Sequence, residues 1–184
     1  MANAKTMTAI GTILFPSLEK PAKAMDGGEG KFEIMITIDK EAAKSSEHAA
    51  LDSEVNRLLA EYAKETKSPL ASLRNPLRPN EERMEKYPDT YKAGGFFFTA
   101  KTKFQPPVFD RAKRPITDLG SVYAGQEGRI LVSAYKFSRN GNKGVALSLE
   151  AVQVTNADKP RLRGGGNVAD AFSDLPGAAD PFAA

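Results

Sequence analysis

Phe96-Phe97-Phe98-Thr99-Ala100-Lys101-Thr102-Lys103-Phe104-Gln105 reads as a strand, with Pro106 and Pro107 stopping it. Successive side chains of a strand point to opposite faces, so Phe96, Phe98, Ala100, Thr102 and Phe104 share one side. Phe97, Thr99, Lys101, Lys103 and Gln105 share the other. The first series is suited to a core. The second sets an aromatic ring beside two cations, the combination that grips a single nucleic-acid strand by base stacking and phosphate neutralisation.

The same period recurs on both sides of this stretch. Met7 to Phe15 is β-branched and apolar and ends at Pro16, and Phe32, Ile34, Ile36 and Ile38 alternate with Lys31, Glu33, Met35 and Thr37. Asp26, Gly27, Gly28 and Gly30 form the turn between these two strands. Further on, Gly128 to Phe137 and Val145 to Thr155 are strands joined by a hairpin, in which Asn140 and Gly141 supply the positive φ of the turn. From Asp39, read as an N-cap, to Lys67 the period changes to helical, with Leu51, Val55, Leu58, Leu59 and Tyr62 on one face. Pro69 ends that helix, and Pro69, Pro76, Pro79 and Pro88 make residues 68–90 a loop with at most a short helix near Glu81 to Lys86. Two strands, a helical insertion over 39–67, a proline-rich crossing and three strands suit a mainly β, five-stranded Greek-key barrel; other small barrels stay open.

Charge divides the chain in two. The 184 residues carry 26 Lys and Arg against 23 Asp and Glu, yet none of the basic residues lies beyond Arg163, while three Asp do. Residues 1–163 therefore hold 26 bases against 20 acids, a net of +6. This is one domain with an appendage: residues 1–163 form the body, and residues 164–184 form a Gly-rich hinge, Gly164 to Gly166, and an acidic tail. The tail is expected to be disordered in isolation, because it offers too few apolar groups to offset the entropy of ordering it.

Cysteine is absent, which excludes disulfides, Cys-based zinc sites and thiol nucleophiles. The single histidine, His48, is expected on the solvated surface of the helical insertion, away from general-base chemistry. No closely spaced acidic pair sits at a strand end, so no metal site, cofactor or catalytic residue is assigned. No apolar run approaches the length of a membrane-spanning helix, and the chain is read as soluble and intracellular.

Binding residues are sought on the faces turned away from the core. Phe97, Lys101 and Lys103 come from the opening stretch, and Arg129, Tyr135 and Phe137 from the outer face of the next strand, where Ile130, Val132 and Ala134 point inward. Lys136 points inward too, as a rim residue. Arg111, Lys113 and Arg114 follow Pro106 and Pro107 on a loop from which cations can track a phosphate backbone. Asp174, Asp180, Pro181 and Phe182 are assigned to protein interaction in the tail.

Tyr123-Ala124-Gly125-Gln126-Glu127-Gly128-Arg129 through Tyr135, then Asn142 to Leu149 with Val152 and Gln153, resembles the phage single-stranded DNA-binding proteins with an OB fold. Gly11 to Phe15 with Pro16 and Leu18, the Phe32 to Ile38 strand with Lys40, and Phe98 to Lys101 leading to Pro106 and Pro107 are similar to the same family. The pieces span most of the body. The resemblance implies an OB-fold barrel that coats single-stranded DNA without catalysis in phage replication, recombination or repair, in the host cytoplasm if the chain is phage-encoded. It further implies an acidic tail that recruits replication or recombination proteins. A homodimer, a strand-annealing or RNA-binding relative, a protein-interaction module and, last, a metal-dependent nuclease stay open as alternatives.

Overall fold

The computed structural model describes residues 3–162. Five long strands carry the architecture: β2 (Gly11–Ala22), β3 (Lys31–Ile38), β5 (Phe96–Thr102), β7 (Glu127–Arg139) and β8 (Asn142–Asn156). Three short ones attach to them, β1 (Lys5–Met7), β4 (Arg78–Pro79) and β6 (Val108–Phe109). β2 pairs antiparallel with β3, β3 with β5, and β8 with β7, while β5 and β8 run parallel. β7 then returns to β2, so the five long strands close into a ring with the connectivity of an OB barrel.

Glycines make the closing contact possible. Gly11 lies opposite Gly128 where β2 meets β7. A side chain at Gly11 would run into the Thr37 carbonyl, and one at Gly128 into the Gln153 carbonyl and Ile13. Only backbone fits there.

Inside the ring, Ile13, Leu18, Ile34, Ile36, Ile38, Phe98, Ala100, Ile130, Val132, Ala134, Leu147 and Val152 form one buried cluster. The helix α1 (Ser46–Thr66) adds Leu51, Val55, Leu58 and Leu59 to it, the apolar face expected from the spacing. Lys136 lies beyond Ala134 on the inward series of β7 and reaches Glu61 and Glu65 of α1 at 2.7 Å each. Those two carboxylates raise the Lys136 pKa above its ordinary value.

Several sequence expectations need correction. The first strand does not stop at Pro16. It continues to Ala22 through an irregularity in its pairing with β3 between Leu14 and Ser17, where Phe15 takes a positive φ of 46° and Pro16 loses no ladder bond. Asp39 caps a short 3-10 turn by accepting from the Ala42 N–H at 2.8 Å, and α1 begins later, with Ser45 accepting from the His48 N–H. His48 is buried rather than solvated, because its ring stacks on Phe96 at 5.0 Å between the helix and the sheet. Phe104 leaves the core series: β5 ends at Thr102 and the Phe104 ring is 81% exposed.

Candidate nucleic-acid interface

Barrels of this type bind oligonucleotides on the outer face of their second and third strands, between the loop joining the first two strands and the hairpin joining the last two. In this chain those elements are β3, β5, residues 23–30 and the Asn140-Gly141 turn. They enclose a cleft of about 660 Å³. Lys23, Lys31, Lys101, Lys103 and Arg139 line it together with Asp26, Glu29 and Glu33, giving five cations against three carboxylates.

Two of the cations are held in place by acids. Lys101 faces Glu33 across the β3–β5 ladder and meets it at 2.7 Å, and Arg139 of the hairpin reaches Asp26 in the opposite loop. The Gly28 N–H and the Arg139 guanidinium hold the Asp26 carboxyl below its usual range. Lys23, Lys31 and Lys103 make no ion pair among the described residues and present unbalanced charge to the cleft. Exposed Met25 lines it too, and exposed Phe104 follows Lys103 in the chain.

Farther along the same face the outer residues of β3 and β5 are covered. Phe97 is only 4% exposed and forms a small cluster with Leu14, Met35 and Tyr91. The Tyr91 ring meets it edge-on at 5.4 Å, and the Arg83 guanidinium lies 4.8 Å from its centre. Its outward direction is as expected, but the stacking surface expected of Phe97 is occupied by Tyr91 and Arg83. These covering residues belong to the segment around α2 (Glu81–Met84), which Asn80 anchors. Asn80 is fully buried, accepts from the Thr37 hydroxyl at 3.0 Å, and donates to the carbonyls of Ile38 at 3.0 Å and Lys92 at 2.9 Å. On its outer side this segment carries half-exposed Tyr87, with the Lys86 ammonium 5.4 Å from the ring centre.

The remaining candidates lie outside the cleft. Phe137 lines a separate cavity with Leu73, Arg74 and Leu77, and its carbonyl accepts from the Tyr62 hydroxyl at 3.2 Å. Tyr135 is half-buried opposite Ala146. Arg114 is tied to Asp110 at 2.8 Å, and Arg111 is exposed on the same loop. Lys113 and Arg129 line an apolar pocket beside Phe109 and Leu131. The structure thus brings Lys101 together with Lys103, and Lys113 together with Arg129, in two places. Asp174, Asp180, Pro181 and Phe182 lie outside the described residues.

Sequence reasoning missed Lys23, Lys31 and Arg139 as cleft residues. The available signal was position: Lys23 and Lys31 flank the turn after the first strand, and Arg139 immediately precedes the hairpin turn. Asn80 carried no periodic signal at all, being one polar residue within a proline-rich loop.

Compared with known families, residues 11–182 match the Enterobacter phage Enc34 ssDNA-binding protein family. The chain belongs to that family. Membership agrees with the resemblance carried by the strand and hairpin motifs, and it spans the barrel and nearly all of the acidic segment. Among solved structures, the single-stranded DNA-binding protein from bacteriophage Enc34 in complex with ssDNA is similar, with a TM-score of 0.69 and 15% identity over 85% of this chain and 88% of that one. So is gp2.5, a single-stranded DNA-binding protein encoded by bacteriophage T7, with a TM-score of 0.66 and 16% identity over 97% of this chain and 99% of that one. At such identities the likeness concerns the fold. No curated protein sequence matches.

Proposed function

We propose that this chain coats single-stranded DNA without catalysing a reaction on it, as its Enc34-type family implies, in phage replication, recombination or repair. The strand runs along the outer face of β3 and β5. Its phosphates pass Lys23, Lys31, Lys101, Lys103 and Arg139, and its bases meet Phe104, Met25 and, farther along, Tyr87. The observation carrying this reading is the cleft itself, where three lysines without acid partners line the face between the two loops.

Each phosphate neutralised by a lysine or arginine releases condensed counterions, so affinity falls steeply with salt. Stacking on exposed rings adds roughly 1 to 3 kcal/mol per base with little sequence preference. Phe97 contributes indirectly, as the floor on which Tyr91 and Arg83 are packed. The acidic segment, rich in Asp and carrying Phe172 and Phe182, is assigned to recruiting replication or recombination proteins.

Anisotropy of a labelled oligothymidine, with unlabelled single strand, duplex and RNA of equal length as competitors, tests the reading. Salt-sensitive binding that single-stranded DNA displaces and duplex does not is the expected result. Absence of binding at moderate salt would point to a protein-interaction module instead, and shortening of the oligonucleotide in magnesium would point to a nuclease.

A further inference from the structure

By the alternation of β2, Phe15 belongs in the core. Ile13 points inward and Leu14 outward, where it clusters with Met35, Tyr91 and Phe97, so a regular strand would bury the next ring beside Ile34. The strand is bulged at this place instead. Between Leu14, paired with Met35, and Ser17, paired with Glu33, β2 sets two residues against the single Ile34 of β3. In that bulge Phe15 takes its φ of 46°, is 62% exposed, and belongs to neither buried cluster.

Two costs fall on one position. A bulky side chain is an outlier at positive φ, and a residue before proline is restricted further. A phenyl ring left in water also gives up the burial that the core offered it. Among the described residues Phe15 has no aromatic partner and faces no cation, so nothing in the fold offsets either cost. The other non-glycine residues at positive φ, Lys67, Lys113 and Asn140, end a helix or turn a loop, and Phe15 alone among the described residues takes such an angle inside a strand. Strain of this kind persists at sites where a group must be held in one place, and Pro16 fixes the next backbone angle.

The position adjoins the lysine cleft. Glu33, opposite Ser17, lines the cleft and pairs with Lys101, while Met35, opposite Leu14, belongs to the Tyr91 cluster. Along β2, Phe15 therefore falls between the cleft and the covered patch beyond which Tyr87 lies. Gln105 donates to the Leu18 carbonyl at 3.1 Å, which brings the chain just after exposed Phe104 to a point three residues along β2 from Phe15.

We infer that Phe15 is a base-stacking ring of the single-strand path, held at the surface by backbone strain, and that the path crosses from β3 and β5 onto β2. The inference rests on the proposed coating of single strands and adds a residue that alternation assigns to the interior. A ring presented on a fixed backbone loses little freedom on binding, and a base of any identity can stack on it. Stability and DNA affinity are set against each other here: a ringless residue suited to positive φ improves the first and weakens the second.

Phe15→Asn supplies such a residue. Its urea midpoint should equal or exceed the parent's, while oligothymidine binding should weaken about 5- to 150-fold at every salt concentration with the salt slope unchanged. Phe15→Tyr should bind like the parent. On the parent itself, oligothymidine carrying 5-iodouracil should, on long-wavelength irradiation, leave an adduct on Phe15, whose tryptic peptide, residues 6–23, has no other aromatic residue. Parental affinity in Phe15→Asn, a Tyr variant as weak as the Asn variant, or weakened binding together with a lowered urea midpoint would each overturn the inference. No adduct on Phe15 in a parent that binds oligothymidine would overturn it and leave the coating reading intact, whereas a parent that does not bind would overturn both.

Discussion

Replacing Lys23, Lys31 and Lys103 together by Gln tests the proposed DNA path most directly. Lys23 and Lys103 are exposed, Lys31 is half-buried, and none belongs to the core or to an ion pair among the described residues, so thermal unfolding should be nearly unchanged. On single strands each neutralised phosphate contributes about 0.7 to the slope of log affinity against log salt, so the variant should lose about 2 from that slope. If parent and variant converge near 1 M salt, a tenfold lower concentration exposes a loss of about 100-fold, or about 3 kcal/mol. A stacking residue behaves differently, since its removal lowers affinity at every salt concentration and leaves the slope alone. Oligothymidine anisotropy measured at four or more salt concentrations separates the two. A variant with weakened binding and the parental slope would refute phosphate neutralisation by these lysines, and one with parental affinity and slope would place the strand elsewhere.

Phe97→Ala should act mainly on stability: a buried ring packed on Leu14, Met35 and Tyr91 is lost, at a cost of about 3 kcal/mol or more in urea unfolding, with the salt slope of DNA binding kept. Asn80→Ala removes three side-chain hydrogen bonds, two of them, to the Thr37 hydroxyl and the Ile38 carbonyl, buried, which should cost about 3 kcal/mol and speed amide exchange through residues 81–95. His48 has its pKa lowered by burial, with Asp52 opposing the shift in part. Its folded-state pKa therefore lies below the ordinary 6.5, so its contribution is complete above that value and lost as pH falls through the window beneath it. Stability of the parent should decline with acidification before the carboxylates titrate, and His48→Phe should flatten that decline in a pH series of urea titrations.

Much of the barrel is legible because period-two patterning survives in long strands. Ile34, Ile36 and Ile38, then Phe98 and Ala100, then Ile130, Val132 and Ala134 all point inward as their alternation requires. The helix face from Leu51 to Leu59 is equally plain, since four apolar residues at helical spacing can be buried only together. What escaped is the consequence of chain segments crossing. Phe97 alternates to the outer face as expected, yet whether an outer ring meets water depends on a loop with no period of its own, here residues 80–91. His48 sits between Glu47 and Ala49 in sequence and is buried by Phe96, 48 positions later. Phe104 needed the strand's end, which alternation alone does not mark. The cleft was half legible: Lys101 and Lys103 follow from the alternation, while Lys23, Lys31 and Arg139, at the ends of strands, join them only when two distant turns meet.

The two ion pairs at the cleft have a consequence for how long a coat can last. Asp26 and Glu33 occupy, in the free protein, positions beside Arg139 and Lys101 that phosphates would take along the proposed path. Loading DNA there is an exchange of one anion for another, and unloading is the reverse exchange with the replacement already tethered in place. On that path the cover would be self-stripping: its two carboxylates reclaim Lys101 and Arg139 whenever the strand is pulled, so that only Lys23, Lys31 and Lys103 of the five cations are left without a paired acid when the DNA is handed on.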